Sequence, residues 1–221
     1  MSHDLRTPLA AAKAAISSLR AGEVAWTEED RRELLATAEQ SMDRLTDLVT
    51  NLLDLSRLQA GVLPVLCRPV GIDDIVARAL DQIGADDVDV DGGADLPEVI
   101  ADAGLLERVI ANVVQNALRY APDGTPRLAG SAIGETVELR VIDRGPGIPR
   151  EALDSVFEPF QRTDDAPSDG SGVGLGLAIA RGFTEAMGGT VRAEETPGGG
   201  ATMVVALHAA SPKPIETVSW S

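Results

Sequence analysis

Residues 112–120 read Asn-Val-Val-Gln-Asn-Ala-Leu-Arg-Tyr, and they close a helical run that Asp102 can open as its N-cap. Asn112 and Asn116 stand four apart and so share one face of that helix. Amide oxygens are hard, neutral ligands, suited to a Mg²⁺ ion that keeps most of its water and bridges phosphates. Arg119 adds a donor for phosphate and Tyr120 a surface on which a flat ring can stack. Helical asparagines also serve as caps or plain surface residues, so the pair gains weight only from its surroundings.

On the C-terminal side, Arg127–Ile133 and Thr136–Ile142 alternate like strands around a Gly134-Glu135 turn. The second strand runs into Asp143-Arg144-Gly145-Pro146-Gly147-Ile148-Pro149. A strand-terminal aspartate can accept a hydrogen bond from an exocyclic amine, and Gly145 and Gly147 let backbone approach a flat ring. Ordinary acidic turns share this composition. Next, Gly170-Ser171-Gly172-Val173-Gly174-Leu175-Gly176-Leu177 leads into a helix expected over about 173–187. Bare amides at a helix start form an anion site, although flexible linkers can look alike. No Gly-Lys-Ser/Thr follows, which excludes a Walker A loop. Gly172, Gly174 and Gly176 alternate without the wider final gap of a dinucleotide fingerprint.

Strands are further expected at Thr190–Glu194 and Thr202–Leu207, with 197–200 between them, and short ones at 88–90 and 98–101. A helix fits 72–83. Helices with an antiparallel-leaning sheet predict an α+β sandwich. The residues from Ser211 onward hold two prolines and no periodicity, so a disordered tail is expected.

The N-terminal third has a different rhythm. Leu5, Leu9, Ala12, Ile16 and Leu19 recur in steps of four and three, with Gly22 as a stop. Thr27 can cap a second helix, with Glu28, Glu29 and Asp30 in its first turn. Its stripe of Leu34, Ala38, Met42, Leu45, Leu48, Leu52 and Leu55 runs toward Gly61. Two long amphipathic helices on a short connection predict an antiparallel hairpin, half of a dimeric four-helix bundle. Residues 62–71, with Pro64, Pro69 and Gly71, mark the boundary between modules. Three segments are therefore expected: 1–61, 62–210 and a tail at 211–221.

Composition bounds the chemistry. The chain has 221 residues and a formal charge of −16, which disfavours nucleic acid and anionic membrane surfaces as partners. Cys67 is the single cysteine, so no internal disulfide or thiolate metal site is available. No run of apolar residues is long enough to span a bilayer. His3 opens the segment Ser2-His3-Asp4-Leu5-Arg6-Thr7-Pro8. Neutral imidazole is a good nucleophile toward phosphorus, and Asp4 could take or hold its second proton. Pro8 either kinks a helix or occupies its first turn.

Each element alone has an ordinary structural explanation; their order and combination do not. His3–Leu9 resembles the H box of the sensor histidine kinases of bacterial two-component systems. Asn112–Tyr120 resembles the N box, Asp143–Gly147 the G1 box, Phe157–Phe160 the F box, and Gly170–Gly176 the G2 box. The resemblance covers roughly residues 2–208. The run SHDLRTPLAAAKAAISSLR is especially similar to the potassium-responsive Kdp-type sensor kinases.

The resemblance implies a Bergerat ATP-binding fold behind a dimerisation and phosphoacceptor hairpin. It implies autophosphorylation from ATP on histidine, then transfer to an aspartate of a response-regulator receiver domain. His3 would be the phosphoacceptor, Asp4 its acid/base helper, and Thr7 the polar position that serves dephosphorylation of the regulator. Asn116, with Asn112, would hold Mg²⁺, and Arg119 would contact phosphate. Tyr120 would flank adenine and Asp143 would bind its amino group beside Gly145 and Gly147. Gly170, Gly172, Gly174, Leu175 and Gly176 would line the nucleotide, and Arg162 would reach the γ-phosphate from a lid over about 161–171.

Two positions depart from the family's pattern: Arg144, where asparagine is frequent, and Arg119, where lysine is common. Lys13, Ile16 and Leu19 lie where regulator docking is expected, although Ile16 and Leu19 also suit bundle core. The family's first helix normally starts upstream of the histidine, after sensory and membrane segments. A cytoplasmic fragment of a membrane-anchored sensor is therefore expected, with a weakened homodimer. Two other readings share the ATP fold: a nucleotide-binding regulatory module without kinase activity, and an anti-sigma-type serine kinase, against which the H-box run argues.

Overall fold

The computed structural model describes residues 2–21, 26–92, 96–121, 124–161 and 174–210, with residues 2–4 described by backbone alone. The chain divides into two compact units, Met1–Ser56 and Arg57–Ser221.

The first unit is a helical hairpin. Helix α1 spans Ser2–Arg20 and α2 spans Glu28–Gln59, its last turn belonging to the second unit. Pro8 lies inside α1 and not in its first turn, so one interior hydrogen bond is missing near the helix start. Gly22, expected as the stop, lies outside the described residues. The Trp26 indole Nε1–H donates to the Ser18 carbonyl at 3.0 Å, fastening the start of α2 to the end of α1. Thr27 caps α2 reciprocally: the Asp30 N–H donates to Thr27 Oγ1 at 3.1 Å, and the Thr27 N–H donates to Asp30 Oδ2 at 2.9 Å. At the other end Gly61, at φ +66°, closes the helix with bonds from its own N–H to the Leu58 carbonyl and from the Val62 N–H to the Arg57 carbonyl.

Ala12, Ala15, Ala38 and Ser41 are buried within this single chain. Leu9 and Ile16, and Leu35, Met42 and Val49, recur at intervals of seven and stay exposed. The two sets are what a bundle helix needs: one stripe against its own partner helix, one for another.

The second unit is a two-layer α/β sandwich. Its main sheet has the order β2-β4-β5-β7-β6. The strands are β2 (Asp89–Asp91), β4 (Arg127–Ile133), β5 (Thr136–Ile142), β6 (Thr190–Glu195) and β7 (Ala201–His208). Among the described residues only β2 runs parallel to its neighbour, β4. Helices α3 (Ile72–Ile83), α4 (Ala103–Tyr120) and α5 (Gly176–Ala186) make the other layer, α4 against β5 and α5 against β6. Val137, Leu139 and Val141 alternate inward along β5, and Leu106, Val109, Val113, Val114, Ile179 and Phe183 meet them from the helices.

Two elements differ from the expectation. Arg68–Val70, inside the supposed linker, forms β1 and pairs antiparallel with β3 (Val99–Ala101). Pro69 obscured it, because a proline is tolerated in a strand that pairs on one side only. Helix α5 also begins at Gly176, later than its periodicity suggested, because Gly174 at φ +71° cannot continue a helix backward.

The outer face of the sheet carries a closed ring of charge. Glu138 accepts from Arg140 and Arg192, each at 2.9 Å, and Glu194 accepts from the same two arginines at 2.8 and 2.9 Å. The arginines flank Val204 in register on either side of β7, and Val204 is fully buried between them. Partial burial pushes the Glu138 and Glu194 carboxyls up, but the arginine hydrogen bonds outweigh it and hold both below the usual Glu value. Hydrogen bonds to the two glutamates raise Arg140 in turn.

Candidate functional site

Helix α4 is held in phase from its first residue. Asp102 Oδ1 accepts the N–H groups of Gly104 and Leu105 at 3.1 and 3.2 Å, and Oδ2 accepts the Leu66 N–H at 2.9 Å. With Val109, Ile110, Val113, Val114 and Ala117 turned into the core, Asn112 and Asn116 fall on the flank and are half-buried. Arg119 is exposed and Tyr120 half-buried at the C-terminal end.

Asp143 follows β5 and is 4 % exposed. Its Oδ1 accepts the N–H groups of Gly145 and Ala201, both at 2.9 Å. Among the described residues Oδ2 receives no hydrogen bond, which leaves an acceptor for an outside donor such as an amine. Gly145 presses on the end of α4: a Cβ built there would lie 2.5 Å from the Tyr120 carbonyl oxygen. Any side chain at 145 would therefore push the aspartate loop away from Tyr120.

Helix α5 begins without a side-chain cap and with no acidic residue in its first turn. Its leading amides are thus open to an anion. A Cβ built on Gly176 would sit 3.4 Å from Asn112 Oδ1, so the start of α5 lies directly against the asparagine flank of α4. Phe157, in a 3₁₀ turn (Ser155–Phe157), is buried, with the Arg181 guanidinium 5.9 Å from its ring centroid; packing explains it. Phe160 is 42 % exposed and packing does not explain it.

The fold therefore gathers Asn112 and Gly176, next to Leu175, at the middle of α4, and Asp143, Gly145 and Tyr120 about two turns further on, at its C-terminal end. Gly147 closes on the Gly200 carbonyl from the far side of the aspartate loop. Among the described residues no three His, Cys, Asp or Glu side chains gather as a metal cage. The donor set fits a divalent cation carried by phosphates and completed by amide oxygens. Arg162, Gly170 and Gly172 lie outside the described residues, as do the side chains of His3 and Asp4, whose backbone begins α1. Thr7 is exposed on α1.

Sequence reasoning missed the support that Gly200 and Ala201 give to Asp143. The Asp143 N–H donates to the Ala201 carbonyl at 2.9 Å, and Gly200, at φ +103°, abuts the Asp143 carbonyl too closely for a Cβ. The run Gly198-Gly199-Gly200 was the available signal, but it read as a plain loop between strands.

Two family models match the chain. Residues 1–61 match the His Kinase A (phospho-acceptor) domain, and residues 101–211 match the histidine kinase-, DNA gyrase B-, and HSP90-like ATPase. The chain is 52 % identical over 224 residues to the sensor protein KdpD of Mycobacterium tuberculosis, covering 97 % of this chain and 26 % of that protein. Over 218 residues it is 44 % identical to KdpD of Rathayibacter rathayi, covering 96 % of this chain and 25 % of the relative. It spans about a quarter of the length of these curated relatives. Among solved structures, full-length ShkA in complex with AMPPNP matches with a TM-score of 0.69 at 30 % identity, over 97 % of this chain and 46 % of that one.

Proposed function

We propose that this chain, which belongs to the sensor histidine kinase family and to its Kdp-type branch, transfers the γ-phosphoryl group of ATP to His3. The phosphoryl group then passes to an aspartate of a response-regulator receiver domain. The hairpin, residues 1–61, supplies the phosphoacceptor and the homodimer face, and residues 62–210 supply the ATP site. In the whole protein the chain works on the cytoplasmic side of a membrane-anchored potassium sensor.

The observation that carries the reading is the buried Asp143. One carboxylate oxygen is committed to backbone and the other left for a donor, beside a glycine-tight contact with Tyr120. This arrangement suits an adenine whose amino group meets Asp143 and whose ring lies by Tyr120. The phosphates then run toward the open amides of α5 at Gly176 and toward Arg119. Mg²⁺ bound with the phosphates would be held by Asn116 and Asn112 and would neutralise charge that develops on transfer. Gly170, Gly172, Gly174 and Leu175 complete the phosphate side, and Arg162 meets the γ-phosphate.

The chain's own contribution is placement and charge. His3 attacks phosphorus through one imidazole nitrogen while Asp4 receives the proton of the other. The P–O bond to ADP breaks as the N–P bond forms. Thr7, one helical turn beyond Asp4, orients the water that dephosphorylates the regulator. The test is labelling from γ-labelled ATP: the parent chain gains an acid-labile phosphoryl group, and His3→Gln does not, while both bind nucleotide. Equal labelling of the His3→Gln chain would sink the assignment.

A further inference from the structure

Phe160 is the one non-glycine residue with a positive φ among the described residues, at +67°. The left-handed region is disfavoured roughly tenfold for an L side chain, and a bulky residue there signals a constraint imposed from outside. Glycine would take this conformation freely, and the Phe160 ring is 42 % exposed, so core packing does not repay the conformation. The constraint comes from Gly174. The Phe160 N–H donates to the Gly174 carbonyl at 2.9 Å. The positive φ then swings the next peptide onto the Gly174 Cα, where an added Cβ would run into the Gln161 carbonyl and lie 3.1 Å from the Gln161 nitrogen. Gly174 is itself left-handed, at φ +71°. Residues 160 and 174 thus form a backbone clasp with no room for a side chain on the 174 side.

The clasp lies two residues before Gly176, which starts α5 and abuts Asn112. A helix start without a side-chain cap has nothing local to fix its entry angle. Fixing the Gly174 carbonyl therefore fixes the direction in which the α5 amides point. We propose that Phe160 is a positioning residue for nucleotide binding, acting through its left-handed backbone and not through its ring. The inference rests on the ATP reading of the α5 start.

The test uses the full chain and a fluorescent ATP analogue titrated with MgCl₂ present, each variant held well below its unfolding midpoint. Phe160→Val, a β-branched residue that resists positive φ, should weaken binding about tenfold. Phe160→Gly and Phe160→Asn, which accept positive φ, should stay within about twofold of the parent. Gly174→Ala approaches the clasp from its other side and should lose as much as Phe160→Val, which keeps the test usable if one of the two fails to fold. Equal losses in Gly, Asn and Val would assign the role to the ring and overturn the proposal. So would parent-like binding by Phe160→Val or Gly174→Ala. A parent chain that does not bind the analogue refutes the ATP reading itself; a binding parent with indifferent variants refutes only the clasp.

Discussion

Asp143 Oδ1 accepts the Ala201 N–H at 2.9 Å, and the Asp143 N–H donates to the Ala201 carbonyl, also at 2.9 Å. The end of β5 and the start of β7 are tied by both main chain and side chain of one residue. The Asp143 rotamer is thereby set before any ligand arrives, which spares binding the cost of ordering it. Substitutions at this carboxylate can separate fold from recognition, because its two oxygens have different work.

Asp143→Asn keeps an acceptor for Gly145 and Ala201 but turns the other position into a donor. The fold should survive, with a thermal midpoint close to that of the parent. Nucleotide affinity should fall by roughly 10- to 100-fold, the scale of a lost hydrogen bond to a charged group. Calorimetric titration with ADP and thermal unfolding on the same sample check both halves.

Gly176→Ala should set stability against function. A Cβ there meets Asn112 Oδ1 at 3.4 Å, which is tight yet tolerable, and alanine restricts the unfolded chain. Urea unfolding should be unchanged or stabilised by about 0.5 kcal/mol. Histidine labelling from MgATP should drop, since the methyl crowds the amide offered to the metal.

Asn116→Ala should leave nucleotide binding in EDTA near the parent value while removing most of the gain that Mg²⁺ brings. Half-buried and one turn from Asn112, the amide supplies no core packing that would confuse the result. An equal loss with and without Mg²⁺ would show that Asn116 contacts the nucleotide directly.

The ring of Glu138, Arg140, Glu194 and Arg192 makes stability depend on acid. Both glutamates titrate below the usual Glu value in the folded state, so they bind fewer protons than in the unfolded chain. Their contribution is full above the ordinary Glu value of 4.5 and disappears as pH falls through the lower folded values. Glu194 is partly open to solvent, so the contribution is of surface scale, about 1 kcal/mol. Urea midpoints followed from about pH 7 to about pH 3 should fall less steeply in Glu138→Gln than in the parent.

The exposed stripe of Leu35, Met42 and Val49 on α2 should be a contact between two copies. Val49→Asp should shift the sedimentation equilibrium toward monomer, leaving ADP binding by the second unit unaffected. A parent chain that stays monomeric at high concentration would refute this face as the dimer surface.

By itself the sequence determined the elements whose causes are local. Asp102 caps α4, Thr27 caps α2, and the Gly134-Glu135 turn joins β4 to β5, because caps, periodicity and turns need only neighbouring residues. The candidate residues Asn112, Asn116 and Asp143 were legible for the same reason: their spacing and their place at an element's end carry the signal. Tertiary structure alone decided what distant contacts impose. β1 exists because β3 pairs with it across Pro69. Asp143 is held by Ala201, 58 positions away. Phe160 sits at a positive φ because Gly174 requires it there, and nothing in the local propensity of phenylalanine announces that. Local preference is written residue by residue, whereas strain and close approach arise only when two remote backbones are brought into contact.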